Sequence, residues 1–196
     1  MIDTSFKLLF SGLAIALALV AFVPYVRSIL KGTTRPHVFS WFIWGITTVI
    51  VFFAQLEADG GMGAWPIGIS GLLTVAVAVL AFIKRADISI TKTDWLFFAA
   101  ALASLPFWYL TSDPLWTVVV LSVVDLFGFG PTIRKAYESP HQESQLFFLS
   151  LALRNCFAIL ALESYSVTTV LFPLSITLAC TVLLTIVVFR RRTVLA

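Results

Sequence analysis

Seven apolar segments alternate with short polar stretches along this chain. The segments cover residues 6–29, 38–56, 65–83, 95–111, 115–133, 146–162 and 166–189. A helix needs about 20 apolar residues to cross the hydrocarbon core of a bilayer. The stretches between the segments are rich in glycine, proline and charged residues, as loops are. The pattern therefore predicts an all-α membrane protein with seven transmembrane helices.

The composition agrees with lipid as the solvent for most of the chain. Of the 196 residues, 60% are hydrophobic and 12% are charged, with a mean hydropathy of +1.00. A soluble domain carries about 25% charged residues, so a soluble enzyme, a nucleic-acid-binding protein and a secreted disulfide scaffold are excluded. The first segment lacks a basic region before its apolar core, since Asp3 offsets Lys7, and it is predicted to remain as a helix.

The charged residues are sorted between alternate loops. Eleven of the 13 basic residues lie at the ends of segments one, three, five and seven or in the stretches after them: Arg27, Lys31, Arg35, Lys84, Arg85, Lys92, Arg134, Lys135, Arg190, Arg191 and Arg192. The opposite loops carry the acids Asp3, Glu57, Asp59, Asp113 and Glu163. By the positive-inside rule, the N-terminus is predicted to face outside and the C-terminus the cytoplasm. We expect a bacterial inner membrane.

Three proline-containing motifs recur in the second half of the chain. Residues 24–27 match 131–134 at an offset of 107 residues, with proline first and arginine last in both. Residues 36–40 match 140–144 at an offset of 104, and residues 66–70 match 173–177 at an offset of 107. We interpret these matches as a duplication; the alternative is that the prolines mark similar helix ends.

A duplication divides the chain into two three-helix repeats, residues 1–85 and 115–196, joined by residues 86–114 with the fourth helix. Three helices are an odd number, so the connecting helix is needed to give both copies the same orientation. Parallel repeats related by an axis along the membrane normal are a transporter architecture, with a solute site near the midplane between the halves.

This arrangement resembles the PQ-loop/SWEET superfamily, whose members are also called MtN3-like. The shared features are three-plus-one-plus-three helices, an outer N-terminus, and a proline with basic residues at the end of the first helix of each repeat. The superfamily includes sugar uniporters, lysosomal cystine and cationic amino-acid exporters, and Pnu-type vitamin transporters. The resemblance implies transport of a small polar solute of these kinds. The Pro-Gln dipeptide of the family is replaced by Pro24-Tyr25 and Pro131-Thr132.

Asp125 is an ionisable residue well inside segment five. An acidic group at membrane depth marks a proton site, a substrate pathway or a buried pair. Proton-coupled PQ-loop transporters carry an acidic residue ahead of the Pro-Gln position, and Asp125 resembles it. Proton coupling or charge recognition is one interpretation, and a structural ion pair with Arg154 is the other.

Arg154 and Asn155 lie in the middle of segment six. Arg154 is eight residues after Leu146, or about 12 Å at 1.5 Å per residue, which is close to the middle of the bilayer. A fixed positive charge with several donors favours a carboxylate or phosphate group on the ligand. Both residues are predicted to bind substrate, with pairing of Arg154 to Asp125 as the structural alternative.

Further residues are predicted to line the same site. Trp41 and Trp44 share a helix face at the start of segment two. We expect Trp41 in the interfacial aromatic belt and Trp44, nearly a turn deeper, against the ligand. Hydroxyl pairs four residues apart occupy equivalent positions of the two repeats: Ser70, Thr74, Thr177 and Thr181. They are predicted either to line the cavity or to bond their own helix backbone.

Four prolines at equivalent positions are candidate hinges: Pro24, Pro66, Pro131 and Pro173. Proline removes a backbone hydrogen bond and permits bending, which suits alternating access, although helix termination is the other interpretation.

The sequence predicts a carrier that moves a small polar solute through the bilayer by alternating access. The alternative is a membrane receptor or sorting protein on the same scaffold, as KDEL-type receptors are, which binds a ligand without net flux. Since no catalytic or metal-binding motif is found, we expect neither an enzyme nor a metal site nor a cofactor. The sequence leaves homo-oligomerisation open.

Overall fold

The computed structural model describes residues 4–32, 36, 38–84, 92–138, 140–142 and 145–193, and within them every regular element is helical. The helices are α1 (Thr4–Leu30), α2 (Val38–Glu57), α3 (Trp65–Ile83), α4 (Lys92–Thr111), α5 (Leu115–Glu138), α6 (Gln145–Leu160) and α7 (Val167–Thr193). Single 3-10 turns cover Gly61–Gly63 and Pro140–Gln142. The predicted all-α class is confirmed for this part of the chain.

Three helical segments are long and apolar enough to cross a membrane: Thr4–Leu30, Gly61–Ile83 and Val167–Thr193. Shorter apolar helices are Trp41–Glu57, Leu115–Phe129 and Gln145–Leu160. Large apolar side chains are exposed on the outer helix faces, among them Leu72, Phe82 and Leu178. Many exposed large apolar side chains suit contact with lipid rather than with water. These helices indicate a membrane protein in contact with the bilayer.

The number of spans and their orientation stay predictions. Asp3, Arg35 and Arg85, which belong to the charges used for the predicted orientation, lie outside the described residues.

The helices pack in the same order in two groups. In the first group α3 packs against both α1 and α2, and in the second α7 packs against both α5 and α6. The groups meet mainly through α1 with α6 and α2 with α5, while α4 packs on α5 and α2. The third helix of each group therefore lies beside the other two.

Small residues line the buried side of α1, where it packs on α3 and α6. They include Ser11, Ala14, Ala18 and Ala21. Small side chains let helix backbones approach closely in a membrane. Phe10 stacks on Phe157 with ring centroids 5.9 Å apart, and Phe22 lies 6.1 Å from Phe147. These contacts set an antiparallel register in which the middle of α1 lies opposite the part of α6 that carries Arg154.

Side chains hold both ends of α7. The backbone N–H of Thr169 donates to Ser166 Oγ over 3.3 Å, and the N–H of Ser166 donates to Thr169 Oγ1 over 2.9 Å, a reciprocal cap. At the other end, Arg190 Nε donates to the carbonyl oxygen of Tyr137 over 2.9 Å, and its guanidinium lies 4.0 Å from the centre of that ring. A cation there also complements the C-terminal carbonyls of α5.

The four prolines occupy different kinds of position. Pro66 lies in the first turn of α3, where its missing N–H breaks no helical hydrogen bond, so it starts a helix rather than bending one. Pro24 and Pro173 lie inside α1 and α7, where each leaves the carbonyl four residues earlier without its helical donor. Helix α5 continues through position 131, and the side chain of Pro131 lies outside the described part.

Trp41 is buried between helices, so its predicted place in the interfacial belt is wrong. Its side chain is only 8% exposed. The ring stacks on Tyr25 at 5.0 Å and meets the edge of Phe22 at 6.2 Å. Tyr25 lies in turn 5.6 Å from Phe147 on α6. Distance from the end of a segment indicates depth, but it does not indicate which face of the helix a tryptophan occupies.

Candidate ligand site

Asp125 is buried on α5, where it faces α2. Thr47 Oγ1 lies 3.1 Å from Asp125 Oδ1 and 3.0 Å from the carbonyl oxygen of Trp44. The single hydroxyl proton of Thr47 can therefore serve either oxygen. One turn before Asp125, the hydroxyl oxygen of Ser122 is buried and makes no hydrogen bond within the described part of the chain. This buried face of α5 is therefore polar.

Trp44 packs one turn away from this contact, against Gly128 on α5. A Cβ atom placed at Gly128 would lie 2.5 Å from Trp44 Nε1. The pair Trp44 and Thr47 on α2 thus faces the pair Gly128 and Asp125 on α5, and the members of each pair are three positions apart. Glycine is required at 128 because the indole occupies the place of a side chain.

Arg154 is buried on α6, with 3% of its surface exposed. Its Nη2 donates to Asn155 Oδ1 over 2.8 Å, and Asn155 Nδ2 donates to the carbonyl oxygen of Leu151 over 2.9 Å. The amide of Asn155 is therefore anchored to its own helix and orients the guanidinium. Arg154 Nε and Nη1 are buried and have no hydrogen-bond partner among the described residues.

Asp125 and Arg154 interact electrostatically, and Cys180 on α7 lies near both. No hydrogen bond joins the carboxylate and the guanidinium in the described part of the chain. The carboxylate is bonded to Thr47, and the guanidinium is bonded to Asn155. The structure thus brings the two charges together without a direct ion pair. Opposite charges that are buried yet separated leave donors and an acceptor for a third group.

The predicted hydroxyl set is used within its own helices. Thr74, Thr177 and Thr181 donate to the carbonyl oxygens of Ser70, Pro173 and Thr177, each over 2.8 Å. Ser70 and Thr74 are buried, whereas Thr181 is exposed on the outer surface. These bonds favour the backbone-bonding interpretation over a lining of the ligand site.

Sequence reasoning missed Thr47, Ser122 and Gln55. Gln55 is fully buried, its Nε2 donates to the carbonyl oxygen of Thr169 over 2.6 Å, and its Oε1 has no partner among the described residues. A glutamine inside an apolar segment is a signal in itself, because burial of an amide is costly unless it is hydrogen-bonded. Thr47 and Ser122 carry no such signal, since threonine and serine are common in membrane helices.

No cluster of three or more metal-ligating side chains occurs within the described ranges.

Comparison with known proteins gives no further guide to the site. The chain matches no protein-family model, no curated protein and no solved structure at a significant level.

Proposed function

We propose that this protein is a membrane carrier for a small polar solute that bears an anionic group. The observation that carries the proposal is the guanidinium of Arg154, which is buried on the apolar helix α6 with two nitrogens unpartnered among the described residues. A buried charge without full hydrogen bonding is destabilising, and such groups in membrane helices mark ligand or ion pathways. A carboxylate or phosphate on the solute would supply the missing acceptors.

The packing order supports a carrier architecture of seven spans in two parallel repeats. Helices α1, α2 and α3 correspond to α5, α6 and α7, and in each group the third helix packs on the other two. The contacts between groups correspond as well, because α1 with α6 is the counterpart of α5 with α2. Asp125 lies at one of these two matching interfaces, where Thr47 contacts it, and Arg154 lies on α6, one of the two helices that form the other. Rocking of one group against the other would change the surroundings of both.

Asp125 is proposed to respond to a proton or to a positive group on the solute. When ionised, its carboxylate accepts a hydrogen bond from the Thr47 hydroxyl, over 3.1 Å. When protonated, it can donate to Thr47 Oγ1 while Thr47 donates to the carbonyl oxygen of Trp44, 3.0 Å away. Both charge states then keep a hydrogen bond, which suits a group whose charge changes during transport.

Binding and flux of purified protein test the proposal. A panel of monocarboxylates, phosphate esters, amino acids, vitamins and uncharged sugars is screened by thermal shift, since a ligand of the native state raises the melting temperature. Hits are then measured for flux in proteoliposomes. Arg154→Gln is expected to abolish the shift and the flux, while Arg192→Gln, at an exposed arginine, retains both.

Two results contradict parts of the proposal. A ligand that binds but shows no flux would favour the receptor alternative on the same scaffold. Wild-type levels of binding by Arg154→Gln would remove the anionic group from the proposal. Hits that carry both an ammonium and a carboxylate group, and lose affinity in Asp125→Asn, would assign Asp125 to the solute rather than to a proton.

A further inference from the structure

Two loops meet at one end of the molecule and join the two helix groups. The 58–64 loop connects α2 to α3, and the 161–166 loop connects α6 to α7. The N–H of Glu163 donates to the carbonyl oxygen of Gly60 over 3.1 Å, and the N–H of Met62 donates to Glu163 Oε1 over 3.2 Å. Glu163 thus both donates to and accepts from the opposite loop.

Gly61 lets the loops approach closely. Its φ is +56°, a left-handed conformation that glycine adopts without strain, and a Cβ at this position would collide with the Glu163 carboxyl group. The 58–64 loop therefore presents its backbone directly to the glutamate.

A buried hydrogen bond lies directly below these loops. Pro173 has no N–H, so the carbonyl oxygen of Thr169 lacks its donor within α7. Gln55 Nε2, at the end of α2, donates to that oxygen over 2.6 Å. The backbone carbonyl oxygen of Gln55 accepts from the N–H of Gly60 over 2.8 Å. Gln55 therefore connects the proline site of α7 to the 58–64 loop.

The connection between the loops is suited to opening as well as to closing. It consists of a few hydrogen bonds, one of them on exposed backbone, and hydrogen bonds to water can replace these at small net cost. The closed arrangement also leaves Gln55 Oε1 buried without a partner among the described residues. Hydration of that oxygen would favour the open arrangement.

We infer that Gln55, Gly60, Met62, Glu163 and Thr169 form a latch that closes this end of the protein, predicted to be the outer end, and that the latch opens when α7 moves relative to α2. The inference rests on the proposed carrier function. Gln55 lies eight residues from Thr47 along α2, about 12 Å, and Thr169 lies on the same helix as Cys180. Both helices thus run from the latch to the charged residues of the ligand site.

Labelling of a buried cysteine tests the latch without any need for transport. In a Cys156→Ala background, Ser122→Cys places a thiol on α5 near Asp125. The Cys156→Ala protein that keeps Ser122 reports any labelling of Cys180, which is buried. A membrane-impermeant maleimide is applied to either side of vesicles of known orientation.

Glu163→Ala and Gln55→Leu are expected to raise the labelling rate from the side of the two loops by about 2- to 10-fold per hydrogen bond lost. Glu163→Gln keeps an acceptor oxygen and is expected to label like the parent. Glu57→Ala, at an exposed acid close to the same end, serves as the matched control. Melting temperatures near that of the parent ensure that the labelled protein is folded.

A disulfide provides the converse test. The double variant with Gly61→Cys and Glu163→Cys is expected to form a disulfide that stops solute flux. Reduction of the disulfide is expected to restore the flux. Unchanged labelling in both Glu163→Ala and Gln55→Leu, or undiminished flux through the cross-linked protein, overturns the latch. Raised labelling with no flux of any solute in the parent retains the latch and contradicts the carrier proposal instead.

Discussion

Thr47 on α2 and Asp125 on α5 lie 78 positions apart in the sequence, and their side-chain oxygens meet at 3.1 Å. This buried contact joins the two helix groups. Thr47 is the hydrogen-bond partner of the carboxylate among the described residues. Loss of the hydroxyl would leave a buried charge without that partner, which costs more than loss of an exposed hydrogen bond.

Thr47→Val is therefore expected to destabilise the protein by about 1–3 kcal/mol, measured by denaturant unfolding in detergent. The penalty should fall in an Asp125→Leu background, because no buried carboxylate then remains to be satisfied. Thr181→Val, at an exposed position, is the control and should be close to neutral. Equal penalties for Thr47→Val in both backgrounds would contradict the importance of the contact.

Asn155→Asp would convert the amide that orients Arg154 into a competing anion. A carboxylate at this position lies about as close to Arg154 Nη2 as the amide oxygen, at 2.8 Å, and would pair with the guanidinium. The melting temperature of the unliganded protein should stay the same or rise, while stabilisation by an anionic ligand disappears. For a ligand at 100 times its Kd, that stabilisation is about 2.7 kcal/mol. Asn155→Asp with full ligand stabilisation would show that Arg154 does not hold the anionic group.

Gly128→Ala is expected to displace the indole of Trp44. The added methyl group would lie 2.5 Å from Trp44 Nε1, and overpacking of this kind costs about 1–3 kcal/mol. Adding Trp44→Phe to Gly128→Ala should recover part of the lost stability, because it removes the ring that carries Nε1. Gly12→Ala on α1 is the matched control, since no atom lies within 4 Å of the added methyl group there. Similar melting temperatures for the two alanine variants would argue against close packing at Gly128.

Gln55 and Pro173 are expected to be coupled energetically through the Thr169 carbonyl. Pro173→Ala restores an N–H that can donate to this oxygen within α7, so the oxygen no longer depends on Gln55 for a hydrogen bond. Gln55→Leu should then destabilise the protein less in the Pro173→Ala background, with a coupling free energy of about 0.5–3 kcal/mol. The same cycle between Gln55 and Pro24, on a different helix, is expected to be additive. Additivity in both cycles would show that the two residues act independently.

Helix positions follow closely from the apolar pattern. Segment 146–162 corresponds to α6, Gln145–Leu160, and segment 166–189 corresponds to α7, Val167–Thr193. Helix α7 continues beyond the apolar segment through Arg190, Arg191 and Arg192, because backbone hydrogen bonding does not depend on apolar side chains. Length and hydropathy are properties of single segments, so they can be read without knowledge of neighbours.

The contacts of the site could be predicted only in part. The depth of Asp125 and Arg154 along their helices predicts burial, and both are buried. The partners, Thr47 and Asn155, follow from the rotation of each helix about its axis and from helix order, which no single segment encodes. The rotation of α2 about its axis also explains Trp41. Its position along the segment suggested the membrane interface, but it lies on the helix face that packs against other helices.

The small residues on the buried face of α1 bear on how a protein of this kind could arise. At the offset of 107 residues, Ala18 on α1 occupies the place that Asp125 has on α5. A pair of identical three-helix subunits would carry each membrane-buried charge twice, with like charges related by the symmetry axis. If the two helix groups arose by the duplication that the sequence predicts, the halves of the single chain could diverge, so that one aspartate and one arginine suffice and the first half contributes an uncharged surface opposite them. A duplication of this kind would halve the number of ionisable groups that the bilayer must accommodate.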